Sequence, residues 1–544
     1  MVMNMIKKIK VCCDYLLIPV RAEEETKVIS IYVGGSKKYE FAVPVGKNDG
    51  VYAFHYYAPV PMAEQRGKYI TVEGDVPENF MEAVILSDSV PRRTHKRPVI
   101  HFAPDTGWLN DPNGMIFHDG VYHLFFQHNP FDTRWENMSW GHAVSRDLLH
   151  WRQKDDVLFP DEDGTMYSGC GIVNEREELG LGKDAEIFFY TCAGDNSEWS
   201  RDKKFVQKIA YSTDYGETLV KMDGCVLEHP ADGNRDPKVY WHERSGTYYM
   251  VLYLEKNDYG IFNSEDLLHW EQTQRLTFPQ TWECPDLREI PVEGGGSRWM
   301  FWGADGHYFL GDFDGSRFET DGICHEAYQS MLPYAAQTFW GCERVIMIPW
   351  MRTHNTGKAY TGIMGIPRQL TLVEKDGDYI LRQRLVDEFE NSKEKVFCHS
   401  FEKESGEIIY EQKCEAAVEV RLTLEENADF ALNLYDTVCA YDAEKNILRI
   451  EGVAERSEAV KKAAGLIDKE NMSCEEPEVR ILMIGERLES ISLLSDGEIL
   501  EVTAQEGLVC GAYETRQDRK SGEIRIETDG KGEVEIFQIT ENES

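Results

Sequence analysis

Basic residues are scarce in this chain: 58 Lys and Arg stand against 96 Asp and Glu, a net charge of −38 over 544 residues. A surface of that sign repels a phosphate backbone, so nucleic acid is excluded as a partner and a neutral one is expected. Long apolar runs are missing as well. No stretch reaches the roughly 20 residues that cross a bilayer, so no membrane partner is expected. The opening "MVMNMIKKIKVCCDYLLIPV" sets lysines before an apolar run, as a secretion signal does, but Asp14 interrupts it and no small-residue cleavage site follows. Residues 11–20 read instead as the first strand, and the protein as cytoplasmic. The 13 cysteines are scattered, odd in number and without a C-x-x-C pair. That argues against a zinc site or a disulfide framework and fits buried reduced thiols.

What is present is a globular, β-leaning composition. Apolar residues at 42% suffice for packed cores, and 12 Trp and 26 Tyr suit strands and surfaces that stack on sugars or bases. The length implies two or three domains. Residues 1–95 alternate in short runs such as "KVISIYVGG", "YAFHYYAPV" and "MEAVILSD", which predict a small antiparallel β-sandwich. "SVPRRTHKRPVIHF", basic and proline-bearing, reads as a linker. In residues 98–388 five aromatic or β-branched runs recur: "VYHLFFQ", "EIFFYT", "YYMVLYL", "RWMFWG" and "RVIMIPW". They start about 46 to 65 residues apart, each with a shorter run upstream, and "SRDLLHW" is echoed by "NSEDLLHW". Five such units predict a five-bladed β-propeller, the alternative being a two-sheet sandwich whose runs are alike by chance. Residues 395–544 return to alternating runs and predict a C-terminal β-sandwich, with "SDGEILEV" as a hairpin. The fold class expected is therefore all-β throughout.

Three carboxylates take nearly the same place in three of these units. Asp111 in "WLNDPNG", Asp236 in "NRDPKVYW" and Glu283 in "WECPDL" each precede a strand run by ten to fourteen residues, and each has a proline within two residues after it. The Asn-Asp-Pro-Asn-Gly stretch reads as a turn at the mouth of the first unit. First strands of propeller blades line the central channel, so the three acids would meet. Such a cluster could hold a divalent cation, but calcium takes six to eight oxygens, usually from one compact acidic loop, and none of the three lies in one. The other reading is glycoside hydrolysis, which needs two carboxylates, one kept protonated near neutral pH by burial and like charge. Asn110, Gln127, Ser168 and Arg235 offer hydrogen bonds to hydroxyls. Trp108, Trp135, Trp140 and Trp350 offer apolar walls, though each also suits core packing.

The motifs "WLNDPNG", "FFQHNP", "WGHAVSRDLLHW", "YSG", "RDPKVYW", "WECPDL", "YAAQTF" and "GIPRQL", in that order, resemble glycoside hydrolase family 32, the family of invertases, levanases and inulinases. The resemblance covers about residues 98–390 and implies a five-bladed propeller followed by a β-sandwich. Residues 1–95 resemble a sandwich found before the propeller in some gut-bacterial fructan-degrading relatives. By motif, the resemblance makes Asp111 the nucleophile, Glu283 the general acid/base and Asp236 the transition-state stabiliser beside Arg235. It implies a retaining β-fructosidase acting on terminal β-fructofuranosyl units of levan, inulin, fructo-oligosaccharides or sucrose, with no metal or other cofactor. "RDPKVYW" with "WECPDL" resembles the exo-acting members most. Three departures bear on specificity: Tyr167 where Phe is more frequent, Ser139 where His is usual, and "AYQSMLPYAAQ", which lacks the Asp and Gly that commonly precede Tyr-Ala-Ala-Gln. The alternatives are a fructosyltransferase on the same site and a carbohydrate-binding propeller without catalysis.

Overall fold

The computed structural model describes residues 4–46, 52–91, 97–355, 357–402, 407–411, 416–452, 480–515 and 522–540. Strands dominate; the only α-helices among the described residues are Glu78–Ala83 and Asp387–Ser392. None is long and apolar enough to cross a membrane.

The first strands form two facing sheets. One runs in the order Met5–Lys10, Tyr69–Gly74, Thr26–Val33, Ser36–Pro44, the other Tyr56–Pro61, Tyr15–Val20, Ile85–Ser87. Leu16, Ile18, Val20, Ile29, Ile31, Phe41, Val60 and Phe80 fill the space between them. Two expectations need correction here. Residues 11–20 are not one strand: Met5–Lys10 lies in one sheet and Tyr15–Val20 in the other. The crossing between them is held by Arg66, which donates to the Cys12 carbonyl and to the carboxylates of Asp14 and Asp88. "MEAVILSD" is not a single strand either. Pro77 starts a helix that buries Phe80 and Met81, and only Ile85–Ser87 is extended.

All ten runs read in the middle region fall on strands, and as antiparallel pairs they open five consecutive sheets. The first strands are Gly107–His118, Thr165–Val173, Arg235–His242, Asp286–Pro291 and Pro333–Thr338; the second are Val121–Asn129, Glu186–Ala193, Thr247–Glu255, Ser297–Trp302 and Ile346–Met351. The echoed "DLLHW" stretches are one turn used twice. Asp147 and Asp266 each accept two backbone N–H groups and a His ring nitrogen, and Trp151 and Trp270 each donate to a Leu carbonyl three residues back. Gly107–His118 packs beside Thr165–Val173, which packs beside Arg235–His242, while Pro333–Thr338 flanks Gly107–His118 on its other side. Trp340 exchanges backbone hydrogen bonds with Met115 and Phe117, tying the fifth sheet to the first.

Among the described residues the remaining strands make two six-stranded sheets around a common core that includes Val420, Leu432, Cys439, Leu493 and Ile526. The "SDGEILEV" hairpin forms as read, Asp496 pairing with Ile499. The centre of the basic linker, residues 92–96, and residues 412–415 within the stretch expected to form the C-terminal sandwich lie outside the described residues. At the end of the linker, the backbone N–H groups of Val99, Ile100 and His101 all donate to Asp496. The chain entering the first of the five sheets is thereby seated on the C-terminal pair.

Candidate active site

The stretch "WLNDPNG" does not form the expected turn. It lies inside the strand Gly107–His118 and is buried along its whole length. Its pairing with Val121–Asn129 slips twice, between Leu109 and Pro112 and between Asn113 and Ile116. A bulge is where a strand tolerates proline and re-aims a side chain, so the turn-forming residues serve two bulges instead. Gly114 sits there at φ +49°, and a Cβ would meet Phe125, Trp140 and Phe188. Three other first strands slip in the same way: around Ser168 between Met166 and Gly169, around Asp236 between Arg235 and Lys238, and around Ala335 between Tyr334 and Gln337. Asp236, Glu283, Cys284 and Ala335 also have positive φ, at 62°, 27°, 40° and 48°. Strain of this kind in non-glycine residues gathers at functional sites.

These irregularities bring the three carboxylates together around the Cys284 thiol. Its Sγ lies 3.6 Å from Asp111 Oδ2 and 3.4 Å from Asp236 Oδ2, and its backbone N–H donates to Asp236 at 3.1 Å. Ser168 Oγ donates to Asp111 Oδ2 at 2.6 Å. Glu283 is gripped from two sides. Arg235 donates through Nη2 and Nε at 2.6 and 3.1 Å to Oε2, and Tyr334 OH donates to Oε1 at 2.7 Å. The same Arg235 Nε lies 3.7 Å from Asp236, and its guanidinium covers the Tyr253 ring.

Protons are distributed differently from what crowding alone predicts. Burial, with the neighbouring acids, pushes Asp236 up to about 7. Burial also raises Asp111, partly offset by the Ser168 hydroxyl. For Glu283 burial acts upward too, but Arg235 and Tyr334 outweigh it and the carboxyl falls below its ordinary range. The group kept protonated toward neutral pH in the free site is thus Asp236, not Glu283, because the single guanidinium pairs with Glu283.

The other expected residues join this centre at different ranges. Trp108 donates to Asn110 and meets Trp350 edge-on at 5.9 Å; Trp350 in turn meets Tyr334 at 6.2 Å. Gln127 is buried with its amide on the Met166 carbonyl, two residues before Ser168. Trp135 is 41% exposed and stands edge-on to Tyr167. Trp140 does not belong to the wall: it is fully buried among Phe125, Phe188 and Tyr190, and its indole N–H is spent on the Tyr167 carbonyl. Sequence reasoning passed over Cys284 and Tyr334, although both lie within quoted motifs. Ser139, standing where His is usual, is fully buried and donates to the Asn137 carbonyl. The departing loop before Tyr334 is tied to the C-terminal sheets, Gln329 bonding the Met483 backbone and Ser330 accepting from Ala512. The one grouping spaced to hold a metal ion among the described residues is Cys398, Glu533 and Glu535, on a C-terminal sheet and not in this centre.

Comparison with known proteins gives the family. A levanase from Bacillus subtilis is 38% identical over 247 residues, which is 41% of this chain and 35% of that protein. An extracellular exo-inulinase from Aspergillus niger is 30% identical over 328 residues, 50% of this chain and 61% of that protein. The chain therefore spans between about a third and three fifths of these relatives' own length. A family 32 structure from Bifidobacterium adolescentis superposes with a TM-score of 0.66 at 19% identity, covering 98% of this chain and 99% of that one, a likeness of fold that includes the N-terminal sheets. The family described as "Glycosyl hydrolases family 32 N-terminal domain" matches residues 101–384, more than half of the sequence and all three carboxylates. The chain belongs to glycoside hydrolase family 32.

Proposed function

We propose that this protein is a retaining β-fructosidase that releases terminal β-fructofuranosyl units from fructans, fructo-oligosaccharides or sucrose. The observation that carries the reading is the gathering of Asp111, Asp236 and Glu283 around Cys284, with one guanidinium between the last two. Asp111, held by Ser168, attacks the anomeric carbon, and Glu283 protonates the leaving oxygen. A covalent fructosyl–enzyme forms and falls to water deprotonated by the same Glu283, with net retention. Asp236 and Arg235 grip the sugar hydroxyls. The transition state gains positive charge, which the carboxylates stabilise. Engagement of Arg235 by the sugar loosens its hold on Glu283, whose pKa then rises toward that of an acid. The five sheets are read as blades of a propeller that converge at this centre, residues 98–388, between sandwiches at 1–95 and 395–544. The levanase relative and the exo-type motifs favour fructan over sucrose. The scattered free cysteines, Cys284 among them, suit a reducing, cytoplasmic setting.

The test combines a substrate panel with two variants. Fructose as the sole early product from levan or inulin is expected, against sucrose and a short inulin-type oligomer as references. Longer oligomers from concentrated sucrose would mark a transferase; sugar binding without release would mark a non-catalytic propeller. Asp111→Asn and Glu283→Gln should each remove activity with folding intact, the lost proton transfer of Glu283→Gln alone costing about 10²- to 10⁴-fold in turnover, and azide should partly rescue Glu283→Gln. A folded Glu283→Gln enzyme with near-wild-type turnover would sink the assignment.

A further inference from the structure

The segment 130–138, which joins two strands of the first sheet and carries Trp135, is held by the N-terminal sheets from both ends. At one end Phe131 leaves its own sheet and enters the N-terminal core, fully buried, its ring 4.1 Å from that of Phe41. Asp132 beside it accepts the Glu23 backbone N–H at 2.9 Å. At the other end the Asn137 carboxamide takes the place of a neighbouring strand along Ser36–Pro44. It accepts from Ala42 N at 2.7 Å and donates to Ala42 O at 2.8 Å. Arg134 donates to the Glu24 carbonyl at 2.9 Å. Trp135, between these anchors, keeps its ring exposed and meets Tyr167 at 6.0 Å, next to the Ser168 that donates to Asp111.

We propose that the N-terminal sheet pair is a clamp that positions Trp135 as a wall of the sugar pocket, with Asn137 and Arg134 as the positioning residues. The inference rests on the pocket reading above. A bare loop with an exposed indole would sample many arrangements, and binding would have to order it; a loop clamped on both sides has been ordered by folding. The N-terminal unit thereby sets substrate affinity without touching the reacting atoms.

The experiment measures kcat and KM for sucrose and a short inulin-type oligomer, together with the Kd of free fructose by calorimetry. The full-length proteins are Asn137→Gly, which keeps the left-handed backbone (φ 46°) that Asn137 adopts, and Arg134→Ala, each with and without Trp135→Ala. The expected result is a rise of about 2- to 12-fold in both KM and Kd, the equivalent of ordering one loose side chain on binding, with kcat unchanged. In the Trp135→Ala background the same changes should have no further effect. Asn137→Asp, which retains the acceptor for Ala42 N–H, should restore part of the affinity. Unchanged KM and Kd in folded variants, effects that add to those of Trp135→Ala, or a fall in kcat at constant KM would each overturn the clamp. Fructose binding without turnover in the wild type would overturn the hydrolase reading instead, leaving the clamp to be decided by Kd; no fructose binding at all would overturn both.

Discussion

Arg235 is one cation shared by two acids, Glu283 and Asp236, and where its charge goes decides how the site titrates. Its two donors on Glu283 keep that carboxyl ionised in the free protein, while Asp236, 3.7 Å away and fully enclosed, holds its proton up to about 7. The pH dependence of kcat/KM reports groups of the free enzyme. If turnover needs one proton in the trio, activity is kept below that value and lost as pH rises through about 7. A rate profile flat from pH 6 to 9 would contradict this. The same group also carries a stability signature. Its folded pKa lies above the ordinary 3.8, so folding takes up a proton between there and about 7, and stability falls as pH rises across that window. Asp236→Asn should therefore abolish activity yet melt higher than wild type at pH 8 and close to it at pH 4. Equal shifts at both pH values would show that the carboxylate is not strained by burial.

The positions of the acids were legible because each precedes a recognisable strand run; the local geometry that joins them was not. "WLNDPNG" has the composition of a turn, and nothing in Asn, Asp, Pro and Gly says that neighbouring strands will draw it into a ladder with two slips. Bulges leave no residue code of their own, since they arise from the match between two strands. Their sites could be read only afterwards, as the places where Asp111, Ser168, Asp236 and Ala335 stand. Trp140 failed for a related reason: an indole reads alike whether it lines a pocket or fills a core. The bulge also makes a prediction about a residue without a side chain. Gly114 has a left-handed φ and three aromatic rings around the position of a Cβ. Gly114→Ala should destabilise the protein by about 1–3 kcal/mol in urea unfolding. It should also lower kcat at least as much as KM changes, because Asp111 lies three residues away on the same irregular strand. A variant as stable and as active as wild type would mean that the bulge is not held by this packing.

At the scale of the whole molecule, charge is buried where the five sheets meet the C-terminal pair. His101 lies between Asp496 and Glu501 at 2.9 and 3.0 Å, and Glu501 also pairs with Arg368 and accepts the Ile366 N–H. Burial alone would deprotonate His101, but the two carboxylates outweigh it and raise its pKa to about 9. For Glu501 burial is likewise outweighed, by Arg368 and then His101, and its pKa falls to about 2. Both partners are therefore charged across the neutral range, and desolvated pairs of this kind are costly to leave half made. Arg368→Met strands part of Glu501's charge and should cost about 3–5 kcal/mol. The pH dependence separates the two ends of the network. His101's folded pKa is above its ordinary 6.5, so its contribution is complete below that value and is lost as pH rises through about 9. Glu501's folded pKa is below 4.5, so its contribution is complete above that value and disappears as pH falls through about 2. His101→Gln should accordingly melt well below wild type at pH 6 and approach it at pH 9.5, where wild type has lost most of the imidazolium. If the two proteins instead keep a constant difference in melting temperature from pH 6 to 9.5, His101 is neutral in the fold and joins the sheets as a hydrogen-bonding ring rather than as a cation.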